Sequence, residues 1–222
     1  ILAAHRIRSP KFRVFPQGRR PRKPFPLQYP VVVKSVNEEA SLGISHASLV
    51  TSDEKLVERI AFMHESFGVD VIAEQYVEGR ELYIGVFGHE RLQTLPIWEL
   101  PFDQLPEGTP HIATAKVKWD LGYQKKYNID THRAEGLTAE QKDEIAHLAK
   151  RIYRALRLTG YGRIDLRLTP EGRIYVLEAN PNPDLKRNED FAASAAAAGL
   201  EYPAVLQRIL TLGLSYRVEW KQ

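Results

Sequence analysis

The chain contains no cysteine, which excludes disulfides, thiolate metal sites and a cysteine nucleophile. No apolar run approaches the ~20 residues that a membrane-spanning helix needs, so no membrane role is expected. Residues 1–23 carry eight Lys/Arg but neither an acidic residue nor the apolar segment of a signal peptide. These absences agree with a cytoplasmic protein. No Gly-x-x-x-x-Gly-Lys-Ser/Thr occurs, so a Walker-type phosphate loop is ruled out. The chain shows no internal repeat, and low complexity is confined to Ala195–Ala198. It starts at Ile1 without a methionine, and a piece of something longer is expected.

What is present points to a globular protein. At 222 residues and 43% hydrophobic, the chain can bury a sizeable core as one large domain or two small lobes. The net charge of +3 hides an asymmetry, because beyond residue 23 there are 23 basic against 28 acidic residues. Arg19, Arg20, Arg22 and Lys23 form a basic cluster that could meet nucleic acid. It has no interleaved aromatics and contains Pro21, so a solvated loop is the better reading and no nucleic-acid partner is expected.

Along the chain, Lys11–Phe15, Tyr29–Lys34 and Ile44–Val50 read as strands. Thr51 and Glu54 have capping-box spacing before a helix with Leu56, Ile60 and Met63 on one face. Strands are expected at Val69–Tyr76 and Arg80–Phe87 around Glu78-Gly79, and at Gln93–Leu100. Residues 101–136 lose regular signals, and a loop of that length in a compact domain is usually functional. A second capping box, Thr138 and Gln141, opens a helix facing the core with Ile145, Leu148, Ile152 and Leu156. Two helices follow the last strands, around 191–199 and 202–212. The order gives an α+β chain with mixed or antiparallel sheets in two lobes.

Residues 160–184 are the most informative. They read as two strands joined at Pro170-Glu171-Gly172. A turn over Pro170–Arg173 pairs Thr169 with Ile174, which sets Asp165 opposite Glu178 and Arg163 opposite Asn180, all on one face. Ile164, Leu166, Leu168, Tyr175 and Leu177 then form the core face. Opposed carboxylates about 5 Å apart at Cβ repel one another, and with a nearby amide they call for a cation. Hard oxygen donors without His or Cys favour Mg²⁺, commonly accompanied by phosphates, while solvated charges on a half-exposed strand are the bland alternative. Asn180-Pro181-Asn182-Pro183 cannot continue a central strand, so the strand ends where ligand-binding loops commonly begin.

Two further segments fit a polyphosphate. Lys34 ends an apolar strand and precedes a small-residue loop (Ala40, Ser41, Gly43), which together offer a point charge and backbone donors. A lysine that merely reaches for water is the alternative. In Glu74-Gln75-Tyr76-Val77-Glu78-Gly79-Arg80-Glu81, backbone groups near Gln75 and Val77 suit an adenine edge and Glu81 suits ribose hydroxyls. Alone, the segment also reads as a plain hairpin turn with surface glutamates.

Taken together, Val31-Val-Val-Lys34, Glu38-Glu-Ala-Ser41-Leu-Gly43, Glu74 to Glu81, Arg163-Ile-Asp165 and Glu178-Ala-Asn180 resemble the ATP-grasp superfamily. The closest likeness is to the D-alanine–D-alanine ligases and their relatives, over nearly all of residues 5–213. The resemblance implies two lobes, residues 1–79 and 80–222, with the nucleotide between them. It implies ATP-dependent carboxylate–amine ligation through an acyl phosphate, with ATP and Mg²⁺ (or Mn²⁺) as cofactors and small carboxylate and amine substrates. By position, Lys34 corresponds to the lysine on the α/β-phosphates, and Glu38 and Ser41 to the loop over the triphosphate. Glu74, Gln75 and Val77 correspond to the adenine hinge and Glu81 to the ribose contact. Asp165, Glu178 and Asn180 correspond to the metal ligands, and Arg163 to the arginine that stabilises the transferring phosphoryl group. Lys126 and Tyr127 match the Lys-Tyr of the closing loop. A homodimer is compatible with the resemblance.

The chain departs from the ligase pattern in several places. Glu39 and Ala40 replace a glycine and a serine of the tight loop, Asp184 replaces a glycine that helps the oxyanion, and Glu189 replaces the serine that holds the acceptor carboxylate. An acceptor other than D-Ala is therefore expected. The lobe that binds the first amino acid and supplies a second phosphate lysine has no counterpart before Ile1. A non-catalytic or partner-dependent ATP-binding module is accordingly the second reading.

Overall fold

The computed structural model describes residues 1–19, 21–37 and 43–217. The expected contacts Glu38 and Ser41, with Glu39 and Ala40, lie outside the described residues. Among the described residues the strands form two antiparallel sheets and no helix is long and apolar enough to cross a membrane. The chain folds as two compact units, residues 10–78 with 102–130 and residues 1–9 with 79–101 and 131–222.

The first unit holds β1 (Phe12–Phe15), β2 (Val31–Ser35), β3 (Leu49–Val50) and β4 (Val71–Gln75) in the order β1-β4-β2-β3. Helix α1 (Asp53–Phe67) buries Leu56, Ile60 and Met63 in a core shared with Val31, Val33 and Val71. Its N-cap is Ser52, whose hydroxyl accepts from Lys55 N–H, one residue later than the Thr51 expected. The strand expected over Ile44–Val50 is cut to two residues, because a 3-10 turn at His46–Ser48 is fixed by reciprocal Ser45 and Ser48 bonds. Two short helices, α2 (Ala115–Trp119) and α3 (Leu121–Lys126), occupy the stretch that looked irregular. Each is too short to persist unaided. Thr114 and Asp120 cap their first turns, and Gln124 Nε2 donates to the carbonyls of Val117 and Lys118.

The second unit is built on β5 (Arg80–Gly88), β6 (Gln93–Thr94), β7 (Trp98–Leu100), β8 (His132–Arg133), β9 (Gly160–Leu168) and β10 (Ile174–Asn180), in the order β10-β9-β5-β7-β8 with β6 on β5. The single strand expected over Gln93–Leu100 is thus two. One sheet face is hydrocarbon, with Leu82, Ile84, Ile164 and Leu166 packed under α4 (Ala139–Ala155). Thr138 and Gln141 make the expected capping box. The other face carries Glu81, Tyr83, Arg163, Asp165 and Arg167, paired across β5 and β9. Helices α5 (Asp190–Ala197) and α6 (Tyr202–Ser215) cover its apolar end, where Phe87 meets Phe191 at 5.0 Å between ring centroids.

Apart from Gly79, which goes with β5, this division differs from the continuous segments 1–79 and 80–222 in two places. Residues 1–9 belong with β10, because Ile7 is buried in that core and Arg8 carbonyl accepts from Val176 N–H. Residues 102–130 belong with the first unit, where Ala115 N–H donates to Ile44 carbonyl.

Gly79 shows why β5 begins where it does. Its φ is 144°, and an added Cβ would sit 2.1 Å from the Leu168 carbonyl oxygen. Backbone cannot yield there as a side-chain tip can. Gly79→Ala is expected to lower stability by about 2 kcal/mol or more, read as a lower urea midpoint with an unchanged slope. An unaltered midpoint would show that the chain around Gly79 and Leu168 yields to a methyl group at little cost.

Candidate functional site

The polar end of the β5–β9–β10 face is made by a register change. Leu168 pairs with Ile174 and Leu166 with Val176, so Ile174 and Val176 are the buried residues of β10. The expected pairing of Thr169 with Ile174 is therefore one residue out, and Tyr175 and Leu177 are not the core pair. A tighter turn explains this: Thr169 N–H donates to Arg173 carbonyl and Gly172 N–H to Thr169 carbonyl, with Gly172 at φ 80°, so Arg173 joins the ladder instead of the turn. A bulge between Val176 and Glu178 then restores Glu178 opposite Asp165 and Asn180 opposite Arg163. Without it, Glu178 and Asn180 would follow Ile174 and Val176 to the hydrocarbon face. A bulge beside a site that re-aims side chains is a recurrent device.

Four of the expected residues are gathered here. Asp165 is 5% exposed. Arg163 grips it with a two-pronged fork, Nε to Oδ1 at 2.7 Å and Nη2 to Oδ2 at 2.9 Å. Asn180 Nδ2 donates to Asp165 Oδ2 at 3.3 Å, which leaves its amide oxygen as the acceptor end. Glu178 is exposed. Beneath the guanidinium lies the Tyr83 ring, 4.6 Å from its centroid, a favourable cation–π geometry. Burial alone would pull the Arg163 guanidinium down. The charge and hydrogen bonds of Asp165, with Tyr83 and Asp190 further off, outweigh it and hold the group above its usual range. Burial, then Glu81 and Asp165, push the Tyr83 phenol well up, so it stays a neutral donor.

Glu81 is buried, accepting from Tyr83 Oη at 2.9 Å and from Arg167 Nη2 at 2.7 Å. Arg167 also donates to Gly79 carbonyl at 2.9 Å. Tyr83 and Arg167 escaped the sequence reading, although each lies two residues from a chosen position and hence on its face. Asp190 also escaped it: it accepts from Arg163 Nη1 at 3.3 Å and from the Thr131 hydroxyl. No local signal marks it, since it comes from a separate helix.

In the first unit, Lys34 and Glu74 form an ion pair at 2.6 Å. Gln75 N–H donates to Lys11 carbonyl and Tyr76 N–H to Pro30 carbonyl, so those amides serve the sheet; Val77 is buried. Lys126 ends α3 with its ammonium 5.0 Å from the Tyr127 ring centroid, and Tyr127 packs on Tyr123 at 4.7 Å. Asp184 pairs with Lys186 at 2.8 Å. Burial, then the charges of Asp184 and Asp190, raise the Glu189 carboxyl.

The donor set fits a hard divalent cation. Among the described residues, no three His, Asp or Glu side chains gather into a cage. Asp165, Glu178 and the Asn180 amide instead leave room for water and phosphate oxygens, which Mg²⁺ prefers. Arg163 faces two carboxylates, Asp165 and Asp190, so the buried cluster carries excess negative charge.

Two antiparallel sheets with helices against them, one presenting carboxylates, an amide and an arginine on a polar face, define a protein of the ATP-grasp fold class. Residues 7–211 match the family model described as D-ala D-ala ligase C-terminus, and the chain belongs to that family. It is 31% identical over 189 residues to the D-alanine–D-alanine ligase of Desulfotalea psychrophila, covering 85% of this chain and 55% of that protein. Identity to the same enzyme of Aromatoleum aromaticum is 32% over 187 residues, covering 83% and 54%. The crystal structure of the D-alanine–D-alanine ligase from Bacillus anthracis complexed with ATP superposes with a TM-score of 0.74 at 22% identity, covering 96% of this chain and 62% of that one. The chain spans about half the length of the curated relatives it matches.

Proposed function

We propose that the protein is an ATP-dependent carboxylate–amine ligase that forms a peptide-type bond through an acyl phosphate, with an acceptor other than D-Ala. The observation that carries this reading is the cross-strand pair Asp165–Glu178 with Arg163 opposite Asn180, the next pair on the same face. Membership of the ligase family supports it. In the first half-reaction a substrate carboxylate oxygen bonds to the γ-phosphorus while the bond to the bridging oxygen breaks, releasing ADP. In the second, the amine attacks the acyl carbon, loses a proton, and phosphate departs.

Little covalent work falls to the protein in such chemistry; positioning and charge do most of it. Asp165, Glu178 and Asn180 would hold Mg²⁺, which when bound neutralises charge on phosphate oxygens. Arg163 offers the transferring group a planar donor fork already fixed by its neighbours. Lys34, steadied by Glu74, supplies a point charge for the α/β-phosphates. Glu81 is held ready for ribose hydroxyls by Arg167 and Tyr83. Glu74, Gln75 and Val77 serve adenine, and Lys126 and Tyr127 the closing loop. Glu189 brings negative charge where a carboxylate-bearing acceptor would need a neutral or cationic neighbour, which favours a different amine.

The reading is tested by titrating ATP into the full-length protein by calorimetry with and without Mg²⁺. Saturable binding that requires Mg²⁺ is expected. Absent binding, or binding indifferent to the cation, would overturn it.

A further inference from the structure

Arg163 has more anchors than an arginine on a strand face needs. Its Nε and Nη2 are taken by Asp165, and its remaining nitrogen, Nη1, points to Asp190 Oδ2 at 3.3 Å. Asp190 is itself fixed from both sides. Its other oxygen accepts from the Thr131 hydroxyl, and it begins α5, where the helix dipole favours a negative charge. The next residue, Phe191, is fully buried against Phe87 and Tyr161, which pins the start of the helix to the sheet. The side chains of Arg163, Asp165 and Asp190 are 15%, 6% and 12% exposed, so little water is available to replace a lost partner.

A carboxylate has about four lone-pair positions. Arg163 and Asn180 together use three of those on Asp165. A cation that takes the position left on Asp165 draws on the same negative charge and repels the guanidinium, so it weakens the arginine fork. A guanidinium anchored by Asp165 alone would be freed to swing as the metal binds, at the moment it is needed.

We propose that Asp190 is a positioning residue: it keeps the Arg163 guanidinium in place over Tyr83 when a divalent cation engages Asp165, and Thr131 fixes Asp190 for that task. This rests on the ATP and Mg²⁺ reading above. Arg163 has one anchor for each state, with Asp165 dominant without metal and Asp190 dominant with it.

The test uses the full-length protein with ¹⁵N-labelled arginine, the probe being Mg²⁺ with ADP. The Nε–H resonance of Arg163 is identified by its disappearance in Arg163→Lys, and Mg²⁺–ADP affinity is measured in parallel by calorimetry. In the wild-type protein the signal is expected to shift but stay sharp and slow to exchange on adding Mg²⁺–ADP. In Asp190→Asn it is expected to match wild type without ligand and to broaden or vanish with it, while Mg²⁺–ADP affinity stays within about twofold. Thr131→Val, which leaves Asp190 in place and removes only its support, is expected to give a weaker form of the same ligand-dependent loss. A role confined to seating α5 would alter the signal equally with and without ligand. A sharp signal in both ligand-bound variants, or its loss in ligand-bound wild type, overturns the proposal while leaving nucleotide binding intact. Failure of the wild-type protein to bind Mg²⁺–ADP removes the nucleotide reading, and this proposal with it.

Discussion

Asp165→Ala is expected to abolish Mg²⁺-dependent ADP formation by the full-length protein, a fall of about 10³-fold or more, since charge stabilisation dominates phosphoryl transfer. Two losses combine in one substitution. The buried member of the Asp165–Glu178 pair disappears, leaving an exposed glutamate and an amide to hold a cation. Arg163 loses the fork at 2.7 and 2.9 Å that sets its plane. Asp165→Asn keeps the volume and one acceptor oxygen, hence at most one prong of the fork, while it removes the charge. If charge on the metal is what counts, Asn is nearly as damaging as Ala. Glu178→Ala is expected to behave similarly although Glu178 is exposed, since its register position, not its burial, assigns it to the site. ADP formation at the wild-type rate in Asp165→Ala would remove these residues from the chemistry.

How the site could be read before the structure depended on the range of each signal. The pairing of Asp165 with Glu178 was legible because both lie in one hairpin with a marked turn. Yet the turn signal implies a register one residue out, and the bulge after Val176 makes up the difference. Strand alternation cannot reveal a bulge, because one extra residue leaves each local pattern intact. Helix α4 was legible from its capping box and both α1 and α4 from apolar spacing, although the cap of α1 is Ser52 and not Thr51. The short α2 and α3 were not, since they rest on side-chain caps and on Gln124, with little amphipathic pattern in so few residues. Asp190 and Thr131 meet Arg163 only in three dimensions. Likewise, the allegiance of residues 1–9 to β10 hangs on the burial of Ile7 and one backbone bond from Val176.

Arg167→Ala is expected to be the most destabilising single change on the polar face, costing about 3–5 kcal/mol. The side chains of Arg167 and Glu81 are 4% and 7% exposed and meet at 2.7 Å. Truncating the arginine leaves a buried carboxylate with, among the described residues, the Tyr83 hydroxyl as its one remaining hydrogen bond, and strips the Gly79 carbonyl of its donor. At about 2–4 °C per kcal/mol for a chain of this size, the melting temperature should fall by about 6–20 °C in calorimetry. The comparison that isolates the cause is Glu81→Leu with Arg167→Met. Hydrocarbon of similar volume in place of both charges commonly matches a buried pair in stability, so most of the loss should return. Part should remain, because the Tyr83 hydroxyl then lacks its acceptor, at a cost of about 1–3 kcal/mol. ATP affinity should separate from stability in this pair of proteins. The double variant would melt above Arg167→Ala, though several degrees below wild type, yet bind ATP weakly, for want of the Glu81 carboxylate. A double variant that binds ATP as wild type does would leave Glu81 a structural role alone. An Arg167→Ala protein with an unchanged melting temperature would mean that water reaches Glu81 and that the pair is not buried in solution.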